Sequence, residues 1–372
     1  MGSSRVHRAD DKLESHGQLV IGYTDSTFDY PLSMMAQIHS TKRKPRSRSP
    51  RLIHCLFAAG LAAIIGCDGF SLSSTPIGNP IPTGGISGTT PGDNGIASNA
   101  SPAASEYEQL ALERINRARL MPGREAERYG IAVDEGVPGQ IDSTPKQPVA
   151  LNSTLRVAAR AHSEDMLNQD YFAHRNLLGQ GPGDRITSAG YAWSTVGENL
   201  AWNGTTGTID PHQTTEQQHE NLFVDREIEG RGHRITMLHP ALREVGISIV
   251  RGSFTSNGIE YTDSLMQTQE FAASPNSPTF VLGVVYDDLN RNGEYNLGEG
   301  RPDATVRLNN LARATNSGGG YVFAVDTPGE YVLTFPSGSR LTLTIDAGDP
   351  NIKVDSIDGT RVLVNFGQGG IR

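Results

Sequence analysis

The sequence predicts an α+β fold, helices packed on a small antiparallel sheet, followed by a second domain made of β-strands alone. Three observations carry that prediction. Apolar residues recur at helical spacing between about residues 105 and 225, then alternate with a period of two from Val245 onward. Helices that come first and strands that come later point to helices layered on a small antiparallel sheet. Beyond Pro275 and Pro278 the chain breaks into short strands separated by Gly and Pro turns, at the roughly 8–12-residue spacing of a β-sandwich.

The chain has 372 residues, enough for about two domains of roughly 150 residues each. Its formal net charge of -9 is unevenly spread. Residues 1–67 carry 9 Lys and Arg against 5 Asp and Glu, whereas the remainder carries 23 against 36. An acidic body of this kind excludes a nucleic-acid-binding role, because phosphate contacts need clustered Lys and Arg.

The basic charge at the front has a local meaning. Lys42, Arg43, Lys44, Arg46, Arg48 and Arg51 lead into the mostly apolar stretch 52–65, which ends at Gly66-Cys67. A basic run, a short apolar run and a small residue before a cut are the marks of an export signal. The stretch is too short to remain as a bilayer-spanning helix. With Cys67 after Gly66, residues 34–67 resemble a lipoprotein signal, in which Cys67 is lipidated, becomes the new N-terminus and ties the chain to a membrane. A plain secretory signal or a buried apolar helix are the alternatives. Residues 1–33 show no such pattern and read as unstructured, with translation starting at Met34 or Met35. Cys55 and Cys67 are the only cysteines. The processed chain therefore has no disulfide, no cysteine-based zinc site and no cysteine nucleophile.

Residues 68–104 are rich in Ser, Thr, Gly, Pro and Asn and read as a flexible linker that lifts the folded part off a membrane surface. Order is expected from Ser105. Ser105-Glu106-Tyr107-Glu108 is a capping box, and Tyr107, Ala111, Ile115 and Ala118 follow on one helical face until Pro122-Gly123. A second helix starts after Asn152, with Leu155, Ala159, His162 and Met166 on one face. A third covers 215–225. Val245, Ile247 and Ile249 then mark a half-buried strand, and 264–271 another.

The second domain, 279–372, opens with the apolar strand 280–286. That strand feeds into Asp288, Asn290, Asn292, Gly293, Asn296 and Glu299, which fill the pattern D-x-[DN]-x-[DN]-G-x5-E. Oxygen ligands at loop positions 1, 3, 5, 9 and 12, with Gly at the sharp turn, predict a calcium loop. An ordinary Asn292-Gly293 hairpin turn is the alternative. The strand that precedes the loop argues against a helix–loop–helix EF-hand.

Several segments of the first domain are recognisable in order. They are 112–119 (LERINRAR), Ala161-His162-Ser163-Glu164-Asp165-Met166, Phe172-Ala173-His174, Gly190-Tyr191, Gly197-Glu198-Asn199-Leu200-Ala201-Trp202, Gly232-His233-Arg234, Val245-Gly246-Ile247 and Thr268-Gln269-Glu270-Phe271. Together they resemble the CAP superfamily, that of cysteine-rich secretory proteins, antigen 5 and pathogenesis-related proteins, over about 105–274. The resemblance implies an α-β-α sandwich and a cleft with two His and two acids. His174, Glu198 and His233 match three of these. The fourth is expected on the third helix, with Glu220 preferred and Glu216 as the rival. The 222–231 stretch is longer than in simple bacterial members, and the cysteines that brace animal and plant members are missing. The second domain resembles SdrD B-like, prealbumin-like modules of bacterial surface proteins, which implies a calcium-stiffened spacer.

The residues also limit the chemistry. Two imidazoles from separate elements, His174 and His233, suit Zn²⁺ or a similar ion, and a carboxylate can orient an imidazole or accept a proton from bound water. There is no G-x-S-x-G elbow, no H-E-x-x-H helix and no phosphate-binding glycine loop. Ser163 beside His162 points elsewhere on its helix, so the two are no dyad. His162 reads as a core residue, and His212, His219 and His239 as exposed or structural. The expected function is a membrane-anchored envelope protein that binds a small apolar ligand, a lipid or sterol, or a metal in its cleft. A metal-dependent hydrolase acting on envelope polymers or peptides and a structural envelope protein are the alternatives.

Overall fold

Ser105 starts the first helix as its sequence predicts. In the computed structural model its hydroxyl accepts the Glu108 amide at 3.2 Å, and the Glu108 carboxylate accepts the Ser105 amide at 2.7 Å. The structure describes residues 19–20, 104–226 and 228–366. The signal segment, Cys67 and the linker up to residue 103 lie outside them. Ala104, the last residue of the stretch read as linker, is buried, with its carbonyl accepting the Ser317 hydroxyl at 2.7 Å. In the stretch expected to be unstructured, Leu19–Val20 (β1) pairs in parallel with Val362 and Leu363.

Helix α1 spans Glu106–Leu120. Pro122 does more than end it, because proline at the first helical position also opens α2, Pro122–Arg128. After the short strand β2 (Ala150–Leu151), Asn152 accepts the Thr154 and Leu155 amides and caps α3, Ser153–Gln169. Helix α4 is Pro182–Ser188, strand β3 is Thr195–Thr205, helix α5 is Pro211–Val224 and helix α6 is Gly232–Met237. Strands β4 (Glu244–Ser256) and β5 (Ile259–Ala273) complete the domain.

The sheet order is β2-β4-β5-β3, antiparallel except for the β2–β4 pair. Its two faces follow from strand alternation. Val245, Ile247 and Phe271 pack with Ile115, Ala118 and Phe223 from α1 and α5 on one side. Ala272, Val196 and Met266 meet Leu155, Ala158 and Met166 of α3 on the other. The domain is therefore a helix–sheet–helix sandwich, as expected. Gly246 allows the close approach of α3 to the sheet: a Cβ there would lie 2.1 Å from the Leu155 carbonyl carbon.

The second domain holds two sheets, β1-β13-β12-β6-β9 and β11-β10-β7-β8. Strand β6 is Thr279–Tyr286, β7 Thr305–Leu308, β8 Leu311–Ala314 and β9 Gly320–Val325. Strand β10 is Gly329–Thr334, β11 Arg340–Ile345, β12 Ile352–Ile357 and β13 Arg361–Phe366. Val281, Phe323 and Val354 of one sheet meet Leu308, Leu333 and Leu343 of the other in a shared core, which makes the domain a β-sandwich.

Strand β6 is buried on both faces, which is why its sequence is an unbroken apolar run. Its outer face packs on the first domain, Phe280 and Leu282 against Ala150, and Val284 and Tyr286 against Leu110 of α1. Polar contacts seal the same junction. Lys353 bonds Glu113 at 2.9 Å and Asp355, and the Asn351 amide donates to the carbonyls of Pro148 and Arg243 at 2.9 and 2.8 Å. The sandwich is thus seated on the first domain rather than held apart from it as a freestanding spacer.

Replacing Gly246 by Ala should force α3 away from the sheet. We expect a loss of about 3 kcal/mol or more, the upper end of overpacking penalties, read as a lower denaturation midpoint in urea.

Candidate functional site

The site is built around β3, the edge strand of the first sheet. Glu198 on β3 points to the α3 face. There it accepts a hydrogen bond from the His174 ring, Nδ1 to Oε1 at 2.7 Å, while its other oxygen is bound by Arg185 of α4. His174 sits in the loop between α3 and α4, about a third exposed. The Arg185 guanidinium also reaches Glu270 on β5, the register partner of Glu198, at 3.2 Å, and donates to the His174 carbonyl at 2.7 Å. One buried cation thus holds two buried acidic side chains and the backbone of the histidine that Glu198 bonds.

His233 stands in the first turn of α6. Its Nδ1 lies 2.7 Å from Asp225 Oδ1, and its amide donates to Asp225 Oδ2 at 2.9 Å. Asp225 is buried and left-handed (φ 54°) as the residue that ends α5, so its carboxylate turns back to cap α6. Arg234, fully buried, ties this corner together by donating to the carbonyls of Phe223, Val224 and Val133. The His233 carbonyl accepts from Asn199 of β3 at 3.2 Å. Both histidine–carboxylate pairs therefore flank β3, one through Glu198 and the other through its neighbour Asn199.

The second acid is a correction. Neither Glu220 nor Glu216 serves His233. Glu216 is clamped by Arg114 through three hydrogen bonds of 2.6–3.1 Å, and Glu220 is exposed. Both line a separate groove of about 540 Å³ between the two domains. A helix-ending Asp eight residues before His233 was the available signal for Asp225, masked by the long 222–231 stretch. Sequence reasoning also missed Arg185, because nothing in its short helix marks it.

His162 is fully buried, as its helix face predicts, with Nε2 3.0 Å from the Ala173 carbonyl and 4.0 Å from Glu198. His219 is structural too, buried and paired with Glu125 at 2.7 Å. Burial raises the Glu198 carboxyl, but the His174 hydrogen bond and the Arg185 charge outweigh it and hold this acid well below the usual range. Burial, then the nearby Glu198 charge, push the Glu270 carboxyl well above the usual carboxylate range. Among the described residues, no group of three or more His, Cys, Asp or Glu is gathered in a way that could hold a metal ion.

The loop after β6 is closed by bonds to its own side chains, while the Asn296 oxygen accepts from Arg114 at 3.4 Å. Asp288 accepts the Asn292 and Gly293 amides at 3.0 and 3.1 Å, Asn290 accepts the Asn292 amide at 3.0 Å, and Asn292 accepts the Glu294 amide at 2.8 Å. Glu299 accepts from Leu289 and Asn296 at 3.1 and 2.8 Å, and the Asn296 amide nitrogen reaches Asn292 at 3.2 Å. Gly293 has φ +79°, the turn its position requires. Arg361 lies 3.4 Å from Asp288.

With this geometry in view, the family of the first domain follows. Residues 112–271 match the model of the cysteine-rich secretory protein family, CAP, and the α+β domain is a CAP domain. The chain is 30% identical over 152 residues to the uncharacterized protein YkwD of Bacillus subtilis (strain 168), a match covering 41% of this chain. It spans about half, 46%, of that relative's length. Among solved structures it is similar to an extracellular protein containing a SCP domain from Bacillus anthracis str. Ames, at 17% identity and a TM-score of 0.27, covering 45% of this chain and 41% of that one. It is similar also to an outer surface protein from Borrelia burgdorferi, at 11% identity and a TM-score of 0.28, covering 45% of this chain and 95% of that one. No helix among the described residues is long and apolar enough to cross a membrane.

Burial, only partly offset by Glu198, lowers His162 to about 4. The unfolded chain takes up this proton below about 6.5 and the folded one only near 4, so stability falls as pH drops through that window. Between pH 7 and pH 5 the loss should be about 2 kcal/mol. Urea denaturation at the two pH values should show it in the wild type and show it much reduced in His162→Gln.

Proposed function

We propose that the chain is an exported CAP-domain protein of the cell envelope, attached to a membrane through lipidated Cys67, whose cleft binds a ligand rather than turning one over. Export and anchoring rest on the basic run, the apolar stretch and the Gly66-Cys67 junction, and agree with a family described as secretory.

The observation that carries the binding reading is the pair of histidines, each oriented at Nδ1 by its own buried carboxylate. A carboxylate on Nδ1 fixes the tautomer of a neutral imidazole and places its basic lone pair on Nε2, which is the arrangement proteins use for metal-ligating histidines. His174 and His233 would hold a divalent transition ion, and the ion would supply a positive centre for a small ligand. Glu198 orients and neutralises; engaged by Arg185 and His174, it is poorly suited to accept a proton. That favours binding over hydrolysis.

Zinc titration of the full chain tests this. We expect about one ion per chain, lost in the His174→Ala, His233→Ala double variant and weakened about tenfold or more by Glu198→Gln, as for outer-shell carboxylates elsewhere. Equal zinc binding by wild type and double variant would overturn the reading.

The loop 288–299 is proposed as a calcium site. Only Asp288 and Glu299 bring charge, and Arg361 beside Asp288 works against a second cation, so the Kd should be on the order of 10⁻⁴–10⁻³ M. At about five times Kd, mass action gives about 1 kcal/mol, a rise of roughly 2–4 °C in the melting temperature of the full chain. Glu299→Gln should abolish the rise and magnesium should not reproduce it. Identical melting in calcium and in chelator would make the loop an Asn-Gly turn.

A further inference from the structure

The groove that Glu216 and Glu220 line lies away from the histidine cleft and has a chemistry of its own. Helices α1, α2 and α5 of the CAP domain form one wall, and Asn292, Glu294 and Asn296 of the second domain form the other. At about 540 Å³ it falls within the range of small-molecule sites, and like many of them it sits where two domains meet.

Its lining decides the ligand class by exclusion. No Leu, Ile, Val, Met or Phe side chain lines it, which removes the apolar contact a lipid or sterol needs. Three arginines face it, but each is already engaged. Arg114 is paired with Glu216 at 2.6 Å, Arg117 with Glu294 at 2.8 Å, and Arg128 with Glu294. With Glu220 the acids number three, so the lining charge balances. An anion would have to break an existing pair, and a cation would meet the guanidiniums. What remains attractive is a neutral ligand that both donates and accepts at each polar group. Ion-pair edges and the exposed carboxamides of Gln213 and Gln217 present donor and acceptor side by side, the complement of a hydroxyl. Tyr129, wedged against His219 and Phe223, supplies the single aromatic surface, suited to the C–H face of a pyranose ring.

We propose that this inter-domain groove binds a neutral oligosaccharide, separately from whatever the histidine cleft holds. Titration calorimetry and saturation-transfer NMR of the full chain, with chitotriose and maltotriose as neutral probes and inorganic phosphate as the anionic one, test it. At least one trisaccharide should bind, and the Gln213→Ala, Gln217→Ala double variant should lower its affinity about tenfold, the effect of losing one or two hydrogen bonds. Both glutamines are exposed, so the fold should survive. Glu220→Gln, also at an exposed position, is a second probe and should weaken binding in the same direction. His174→Ala should leave the affinity unchanged. No trisaccharide binding up to roughly 10 mM, tighter binding of phosphate, unchanged affinity in the groove variants, or loss of binding in His174→Ala would each overturn the proposal.

Discussion

Helix α1 is buried from two directions, and the placement of both domains depends on that packing. Ala111, Leu112, Ile115 and Ala118 enter the CAP core, while Leu110 enters the cluster of Val284, Tyr286, Tyr295 and Ile357 in the sandwich. A helix with two apolar faces cannot settle in one domain alone without leaving the other face exposed. Its polar residues are spent in the same way. Glu108 pairs with Arg156 of α3, Glu113 with Lys353 of β12, and Arg114 with both Glu216 and the Tyr295 carbonyl. Each of these is a largely buried charge or donor, costly to leave unpaired, so the contacts fix the relation of the two domains even where their net energy is small.

The cleft obeys the same rule on a smaller scale. Glu198 is buried beside Glu270, and two carboxylates this close cannot both stay ionised without a cation. Arg185 supplies the cation, and burial beside Glu198 shifts the Glu270 carboxyl upward. Arg119 and Arg234 solve a related problem by taking backbone carbonyls, Arg119 from Met237 and Leu242 and Arg234 from Phe223 and Val224. Those carbonyls belong to the ends of α5 and α6 and the turn beyond, so the buried guanidiniums anchor the corner from which His233 projects.

Much of this was legible in the sequence, and the failures have physical causes. The capping box at Ser105 and the Asn152 cap are local signals, and both helices begin where those signals place them. The periodic strand 245–249 is likewise local, and His174 and Glu198, both named from sequence, are hydrogen-bonded to each other. Asp225 escaped notice because its role depends on a left-handed residue at a helix end, a backbone feature that spacing does not reveal. Glu216 and Glu220 fall at helical spacing and look like cleft residues. Which face of α5 meets which domain is a tertiary fact, and that face turned out to be the one toward Arg114. The seating of the sandwich on α1 was hinted at by the unbroken apolar run 280–286, since a strand with one wet face alternates.

Helix α5 is the element that both sites share. Gln213, Gln217 and Glu220 along its body face the groove, and Asp225 at its end holds His233. The geometry of one site is therefore set by the same rigid rod as the other. What keeps the rod in place is buried and polar. His219 is paired with Glu125 of α2, Glu125 is paired in turn with Arg117 of α1, and Gln218 donates to the Leu265 carbonyl of β5 at 2.9 Å. Burial and the His219 and Arg117 contacts act oppositely on Glu125, and the contacts prevail, holding it near 2 and so ionised at neutral pH. Sliding α5 would separate these partners inside the protein, where water cannot replace them, at the high cost of an unpaired buried charge. His233 is thus aimed by a helix whose position is fixed at its midpoint, so the direction of its ring is set by buried contacts well away from it.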